Sequence, residues 1–436
     1  MMTFSWIEQM NNKLIIGGAG LGILAIFGGG NLYADQQLKK FYHSAQHSTL
    51  KVTTNEYNMG LFSGQAKKTV SLMLDPCQPD DLLSFDVIDH IKRGVTGYNI
   101  ESRIALPAET EKQLKSFFNN KDPLSLDTQV SWFGKVKLHL HSPEIKHQKD
   151  NIILESKGID FKLNTNTKDP KSFYDLDLSI PLIIATDQDN QFELKNLKLK
   201  GDQFHLSKLL PSSVSTFSTD KFRIKNHSIS EQPFDLNLEN MKGKSENIIK
   251  DNKLYLKNTF EIQSVQLNQQ SEKGALKFNF NALDIDAKAF EAFYAVVDRN
   301  STTCAPNADK ENIEALIKVL EKGVKIESKD NVFAFHPNSQ LRLDTEAKFT
   351  AGKYDNIDML IAALPTQLTA EGQITTSKTF INDLLSIGQK SALSNNPAQL
   401  DRMIEGMIAQ GMLKQNGNQL ISKFEYKFGE PRFLNQ

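Results

Sequence analysis

The sequence predicts an α+β protein, predominantly antiparallel β. It expects a single N-terminal transmembrane helix followed by a large β-rich body with short helices packed on one face or end. Three observations carry this. From about residue 50 onward apolar and polar residues alternate with a period of two. Leu14–Ala34 is a run of 21 residues without a charge. Short apolar patterns of helical period, several with a capping residue in front, interrupt the alternation in the second half.

The N-terminal element divides into a short tail, 1–13, and the apolar run, 14–34. A helix needs about 20 apolar residues to cross a hydrocarbon layer of roughly 30 Å, and the run has that length. Gly18 and Gly22 stand at GxxxG spacing, which permits close helix approach; a merely small-residue-rich span has the same look. A cleavable signal peptide would have a shorter core and small residues before the cut, whereas Leu32-Tyr33-Ala34 offers a bulky leucine. An uncleaved signal anchor is therefore expected, with Met10 as a natural start. Lys13 lies before the run and Lys39 and Lys40 follow it. The charge bias alone therefore leans against an exported C-terminal body.

In the body, 35–436, an amphipathic stretch from Asp35 comes first. Strand alternation then recurs at Val70–Leu74, Val136–Leu140, Phe192–Leu194, Leu254–Leu256, Leu276–Phe280 and Phe424–Phe428. One buried and one wet face per strand marks antiparallel sheet. Asn, Asp, Gly and Pro fill the turns, as at Asp187–Asn190 and Asn416-Gly417. Helices are expected over Ala287–Val297, capped by Asp286, over Glu311–Glu321, Asn356–Leu364 and Lys378–Ile387, and from Pro397 behind Asn396. The last would carry Leu400, Met403, Ile404, Met407, Ile408 and Gly411 on a core-facing stripe. A strand followed by a capped helix recurs without a fixed period, so no solenoid is expected. The polar stretch 226–252 is a candidate sub-division.

With 51 Lys+Arg against 52 Asp+Glu the formal net charge is -1. No basic excess is available to neutralise a phosphate backbone, which excludes nucleic acid as the expected partner. The two cysteines, Cys77 and Cys304, lie in Pro-rich polar contexts. They could form one long-range disulfide in an oxidising compartment or stand as two unpaired thiols.

Enzyme motifs fail: there is no HExxH, no GxSxG and no paired CxxC. Gly243-Lys244-Ser245 lacks the upstream glycine of a phosphate loop. In HLHSPEIKH, His139 and His141 share a strand face with ligand-like spacing near Glu144 and His147. Yet the alternation buries Leu138 and Leu140 and turns the two imidazoles to water, so a wet strand face is the reading and no metal or other cofactor is expected. Catalytic residues are likewise not expected.

Tyr57-Asn-Met-Gly60-Leu61-Phe62-Ser63-Gly64 enters the strand Ala66–Leu74. Here Gly60 and Gly64 would permit a tight bend or bulge, with Leu61 and Phe62 tucked beneath the sheet. This stretch behind an N-terminal Lys and apolar run resembles the YdgA-like family of bacterial envelope proteins. So do Val130-Ser-Trp132-Phe-Gly134, Gly158-Ile-Asp160, Leu197-Lys-Leu199 and Leu283–Ala287. The resemblance implies a single-span inner-membrane protein with a β-rich periplasmic body and brings no catalytic residues. The Phe- and Leu-rich alternate positions suggest a sheet face that binds or bridges a lipid or other hydrophobic ligand. A scaffold that contacts other envelope proteins through sheet edges or the Gly-rich span is the alternative.

Overall fold

The computed structural model describes residues 46–47, 50–73, 77, 82–106, 111, 118, 121–149, 151–187, 190–205, 208–226, 234–268, 273–303, 307–387 and 397–435. The chain divides into two compact units. The first comprises Met1–Gln188, Lys195–Lys208 and Asp298–Ala308; the second comprises Asp189–Leu194, Leu209–Val297 and Asp309–Gln436.

The first unit holds β1 (Gln46–His47), β2 (Leu50–Met59), β3 (Ser63–Met73), β4 (Leu82–Arg93), β5 (Gly97–Ala105) and β6 (Ser125–Ser131). It continues with β7 (Lys135–Ser142), β8 (Ile145–Lys149), β9 (Ile152–Ser156), β10 (Ile159–Asn166) and β11 (Asp169–Asp187). Each of β1 to β6 pairs antiparallel with the next, and β6 pairs with β7. β7 then pairs with β10, and β10 with the first half of β11. The small hairpin β8–β9 continues the sheet along the second half of β11. Alternation dictates what this sheet buries. Val52, Ala66, Val70, Val87, Ile91, Ile100, Leu126, Val130, Val136, Leu138, Leu140, Leu163 and Phe173 come from eight strands and form one apolar cluster with Tyr98.

β12 (Asn190–His205) passes from one unit to the other. The second unit then holds β13 (Ser212–Asn226), β14 (Phe234–Lys250), β15 (Lys253–Leu267) and β16 (Gly274–Asp286). After α1 (Ala287–Thr303) and α2 (Ala308–Leu320) come β17 (Val324–His336), β18 (Ser339–Phe349), α3 (Ile357–Gln367) and β19 (Leu368–Ser377). α4 (Lys378–Ile387), α5 (Pro397–Ala409), β20 (Lys414–Asn416), β21 (Gln419–Lys427) and β22 (Glu430–Phe433) complete it. From β13 to β19 every strand pairs antiparallel with the next, β19 pairs with β21, and β20 and β22 share the far edge of β21. The stretch 226–252, a candidate break on composition, contains the whole of β14, which lies within this run of pairings.

The capped helices form where the sequence places them. The Asp286 carboxylate accepts from Ala289 N at 2.9 Å and the Asn356 side chain from Met359 N at 2.9 Å, each filling a free donor of a first turn. Pro397 opens α5, and Leu400 and Ile404 pack with Leu420; Met403, expected on the same stripe, is exposed.

One part of the expected fold is corrected. Among the described residues no helix is long and apolar enough to cross a membrane, so the single N-terminal transmembrane helix is not supported. The longest described helix, α1, has 17 residues and carries Lys288, Glu291, Asp298 and Arg299, which suits a helix with one face on a sheet rather than a span. The stretch 14–34, with Gly18 and Gly22, lies outside the described residues.

Strict alternation fails at three of the left-handed residues inside strands, Asp175, Asp284 and Asp330, with φ of 52°, 58° and 56°. Each coincides with a shift in register against the neighbouring strand. A β-bulge inserts one extra residue on one strand, and Asp tolerates the left-handed conformation better than most residues. Ala282 and Ile285 are three residues apart across Asp284 and still pack in one cluster.

Candidate functional site

In the second unit, register gathers an aromatic row. Phe217 on β13 lies opposite Gly243 on β14, Gly243 opposite Phe260 on β15, and Phe260 opposite Phe278 on β16. These positions share the face that presents Ile249, Leu254, Leu256 and Ala282 to α1, whose Phe290 and Phe293 close over them. The row itself is partly open: Phe217 and Phe260 are half-buried, while Phe278 is 47% exposed and stacks on Phe280 two residues along at 6.4 Å. Strands lie about 4.8 Å apart, so the row extends over roughly 14 Å.

Gly243 makes a gap between two rings. A Cβ there would stand 3.7 Å from Phe260 Cδ2 and 3.8 Å from Phe217 Cβ, ordinary contact distances. The glycine is not required by its backbone; it leaves room. Farther along the same face the chemistry changes. Thr219 and Ser264 are buried. Lys221 reaches Glu193 at 2.8 Å, and Arg223 donates to both carboxylate oxygens of Asp235 at 3.0 and 2.7 Å. Hydrogen bonds from Lys273, then from Asn237, hold the Glu239 carboxyl below its ordinary range. The face therefore runs from an aliphatic end under α1, through the open aromatic row, to a belt of ion pairs.

In the first unit the GLFSG stretch is a hairpin tip. Gly60 N donates to Ser63 O at 2.8 Å, and Leu61 and Phe62 stand out in solvent instead of tucking under the sheet. The turn is two residues wide, so its central side chains project away from both strands. Neither Gly60 nor Gly64 adopts a left-handed φ. Gly64 serves close approach: a Cβ there would lie 2.5 Å from Met59 Sδ and 2.6 Å from Asn58 O. Tyr57 packs on the core in register with Ala66, which is itself opposite Asp89. Asp89 is fully buried and pairs with Lys68 at 2.7 Å, a core ion pair that alternation does not announce.

His139 and His141 turn outward between buried Leu138 and Leu140, and each meets a carboxylate. His139 Nε2 is 2.7 Å from Asp160 Oδ2, and His141 Nδ1 is 3.8 Å from Asp127 Oδ2. Burial alone would raise the Asp160 carboxyl; hydrogen bonds from Lys162 and His139 outweigh it and hold it low. Ligand atoms of Asp127, His139 and His141 lie within 4.8 Å of one another, a spacing an ion could bridge. Glu144 and His147 belong to the following loop and β8, and are not part of that group. Asp127 and Asp160 come from neighbouring strands, so no local motif could have shown them. Cys77 is disulfide-bonded; the chain's other cysteine, Cys304, lies outside the described residues.

These features define a two-unit antiparallel-sheet protein with an open aromatic face. A family model described as a bacterial protein of unknown function, DUF945, matches residues 10–435, and the chain belongs to that family. No curated protein and no solved structure matches it.

Proposed function

We propose that the chain is a non-enzymatic binding protein of the bacterial envelope whose second unit holds an elongated apolar ligand, by its chemistry an acyl chain, across Phe217, Phe260 and Phe278. The observation that carries this is the in-register row with a glycine gap at Gly243. Aromatic side chains lined up on one face and left partly in water mark a surface that gains by being covered. The ion-pair belt four to six residues farther along β13 is within reach of the polar end of an amphiphile, at about 3.3 Å per residue. The oxidised Cys77 supports an oxidising compartment, the periplasm in a bacterium, and the YdgA-like resemblance is in keeping with that placement.

A fatty acid carrying a photoactivatable diazirine tests the assignment. Labelling should fall on peptides containing Phe217, Phe260 and Phe278, and Gly243→Phe, which fills the gap, should abolish it. Labels elsewhere, or labels indifferent to Gly243→Phe, refute the site. Defined protein crosslinks to this face in place of lipid would transfer the assignment to a scaffold role.

A further inference from the structure

Three hairpin tips of the first unit form one exposed apolar surface. Leu61 and Phe62, at the β2–β3 turn, are 77% and 78% exposed; Val95, at β4–β5, is 96% and Phe133, at β6–β7, is 87% exposed. The tips are braced to one another. Arg93 N donates to Phe62 O at 2.8 Å and Trp132 N to Thr96 O at 3.0 Å. Trp132 Nε1 donates to Val95 O at 2.7 Å, and the Trp132 ring packs edge-on against Tyr98 at 5.0 Å. Four large apolar side chains held this way in water are not a packing device, because they cover nothing in their own unit.

We propose that these tips dock the first unit on an anionic lipid bilayer, with Leu61, Phe62, Val95 and Phe133 entering the headgroup–acyl boundary. Two observations favour lipid over a protein partner. First, the tip segments 57–65, 91–98 and 130–135 contain Lys92, Arg93 and Lys135 and no Asp or Glu. That gives a basic collar around an apolar point, complementary to anionic headgroups. The β10–β11 turn, joined to the β6–β7 tip by Thr167 N donating to Gly134 O at 2.8 Å, adds exposed Lys168 and Asp169, whose carboxylate is paired with His205 and Lys208. Lys92 and Lys135 are exposed. Second, many of the tips' own polar groups are satisfied internally. Gly60 N donates to Ser63 O, Gly94 N to Gly97 O and Gly134 N to Ser131 O, while the Phe62, Val95 and Thr96 carbonyls accept as described above. A backbone whose hydrogen bonds are made within the protein can leave water at little cost; hydrogen bonds to a partner chain would instead need free groups. The surface lies wholly in the first unit and is independent of the aromatic row.

The chain has two tryptophans, Trp6 and Trp132, so Trp6→Phe in the full chain makes Trp132 the sole reporter. Mixed with vesicles of equimolar phosphatidylcholine and phosphatidylglycerol carrying brominated acyl chains, Trp132 emission should shift to the blue and be quenched. Phosphatidylcholine alone should quench several-fold less. A Leu61→Ser, Phe62→Ser, Val95→Ser, Phe133→Ser variant, with unchanged circular dichroism, should lose the quenching. Because quenching is local to Trp132, it reports the tips whatever else brings the chain to the vesicle. An unquenched Trp132, or quenching that survives the fourfold change, overturns the proposal. So does a dimer in sedimentation that the same variant dissolves, since the tips would then meet a second copy.

Discussion

The two units use one alternation code and close it differently. In the first, a single cluster gathers buried side chains from eight strands, and its most exposed apolar side chains, Leu61, Phe62, Val95 and Phe133, sit at the turns. In the second, the buried residues fall into separate clusters under α1, around α2 and α3, and between α5 and β21. Between these the sheet face shows its rings. Alternation says which residues share a face; it does not say whether that face is sealed. Sealing is decided by what lies on top, and among the described residues the second unit's helices cover only part of its sheet.

That contrast can be broken or sharpened experimentally. The largest effect is expected in the sealed unit. Asp89→Ala strands the Lys68 ammonium, and breaking a buried pair costs about 3–5 kcal/mol, readable in urea titration. Leu254→Ala under α1 should cost about 2–5 kcal/mol, showing that the covered part of the second unit is as well packed as the first. Gly64→Ala, which must displace backbone as well as Met59, should cost about 1–3 kcal/mol. Phe278→Asp gives up the packing of the ring's buried half and should cost about 1–2 kcal/mol, yet weaken acyl binding tenfold or more. Covering the exposed half of a phenyl ring, roughly 100 Å², contributes about 2.5 kcal/mol at 25 cal/mol per Å². If Phe278→Asp proves strongly destabilising instead, the row is a core and the comparison fails.

The smallest expected effect concerns pH. The Glu239 carboxyl titrates below its ordinary value of 4.5 because Lys273, then Asn237, donate to it. A depressed carboxyl contributes stability that is complete above its unfolded value and disappears as pH falls through the folded one. Melting temperature measured from pH 6 down to 2 should therefore drop less for Glu239→Gln than for the parent over the acid limb. Equal slopes would show that the pair contributes nothing.

Much of the architecture was legible because it rests on local rules. Buried Leu138 and Leu140 with outward His139 and His141 follow from period two, and the Asp286 and Asn356 caps from short polar side chains ahead of apolar runs. The aromatic row was legible only in pieces. Each Phe reads as one more alternate position until register is known. One signal was present: Asp251-Asn252, both left-handed at φ 52° and 60°, make the tight turn that sets Gly243 opposite Phe260. The GLFSG tip was misread because a Gly-bracketed apolar pair looks the same whether it points in or out. The Lys68–Asp89 pair stands at core-facing alternate positions, between Ala66 and Val70 and between Val87 and Ile91; what stayed hidden was the register of β3 on β4 that makes the two partners.

Asp284 has a consequence of its own. The extra residue works like a comma in β16: remove it, and every side chain between it and the β15–β16 turn would trade sides, exposing Ala282 and Phe280 while turning Asn281 and Asn279 toward α1. A deletion of this one exposed aspartate should therefore be far more harmful than its substitution by asparagine or glycine. Chains that gain or lose single residues inside such long strands would be expected to do so in compensating pairs.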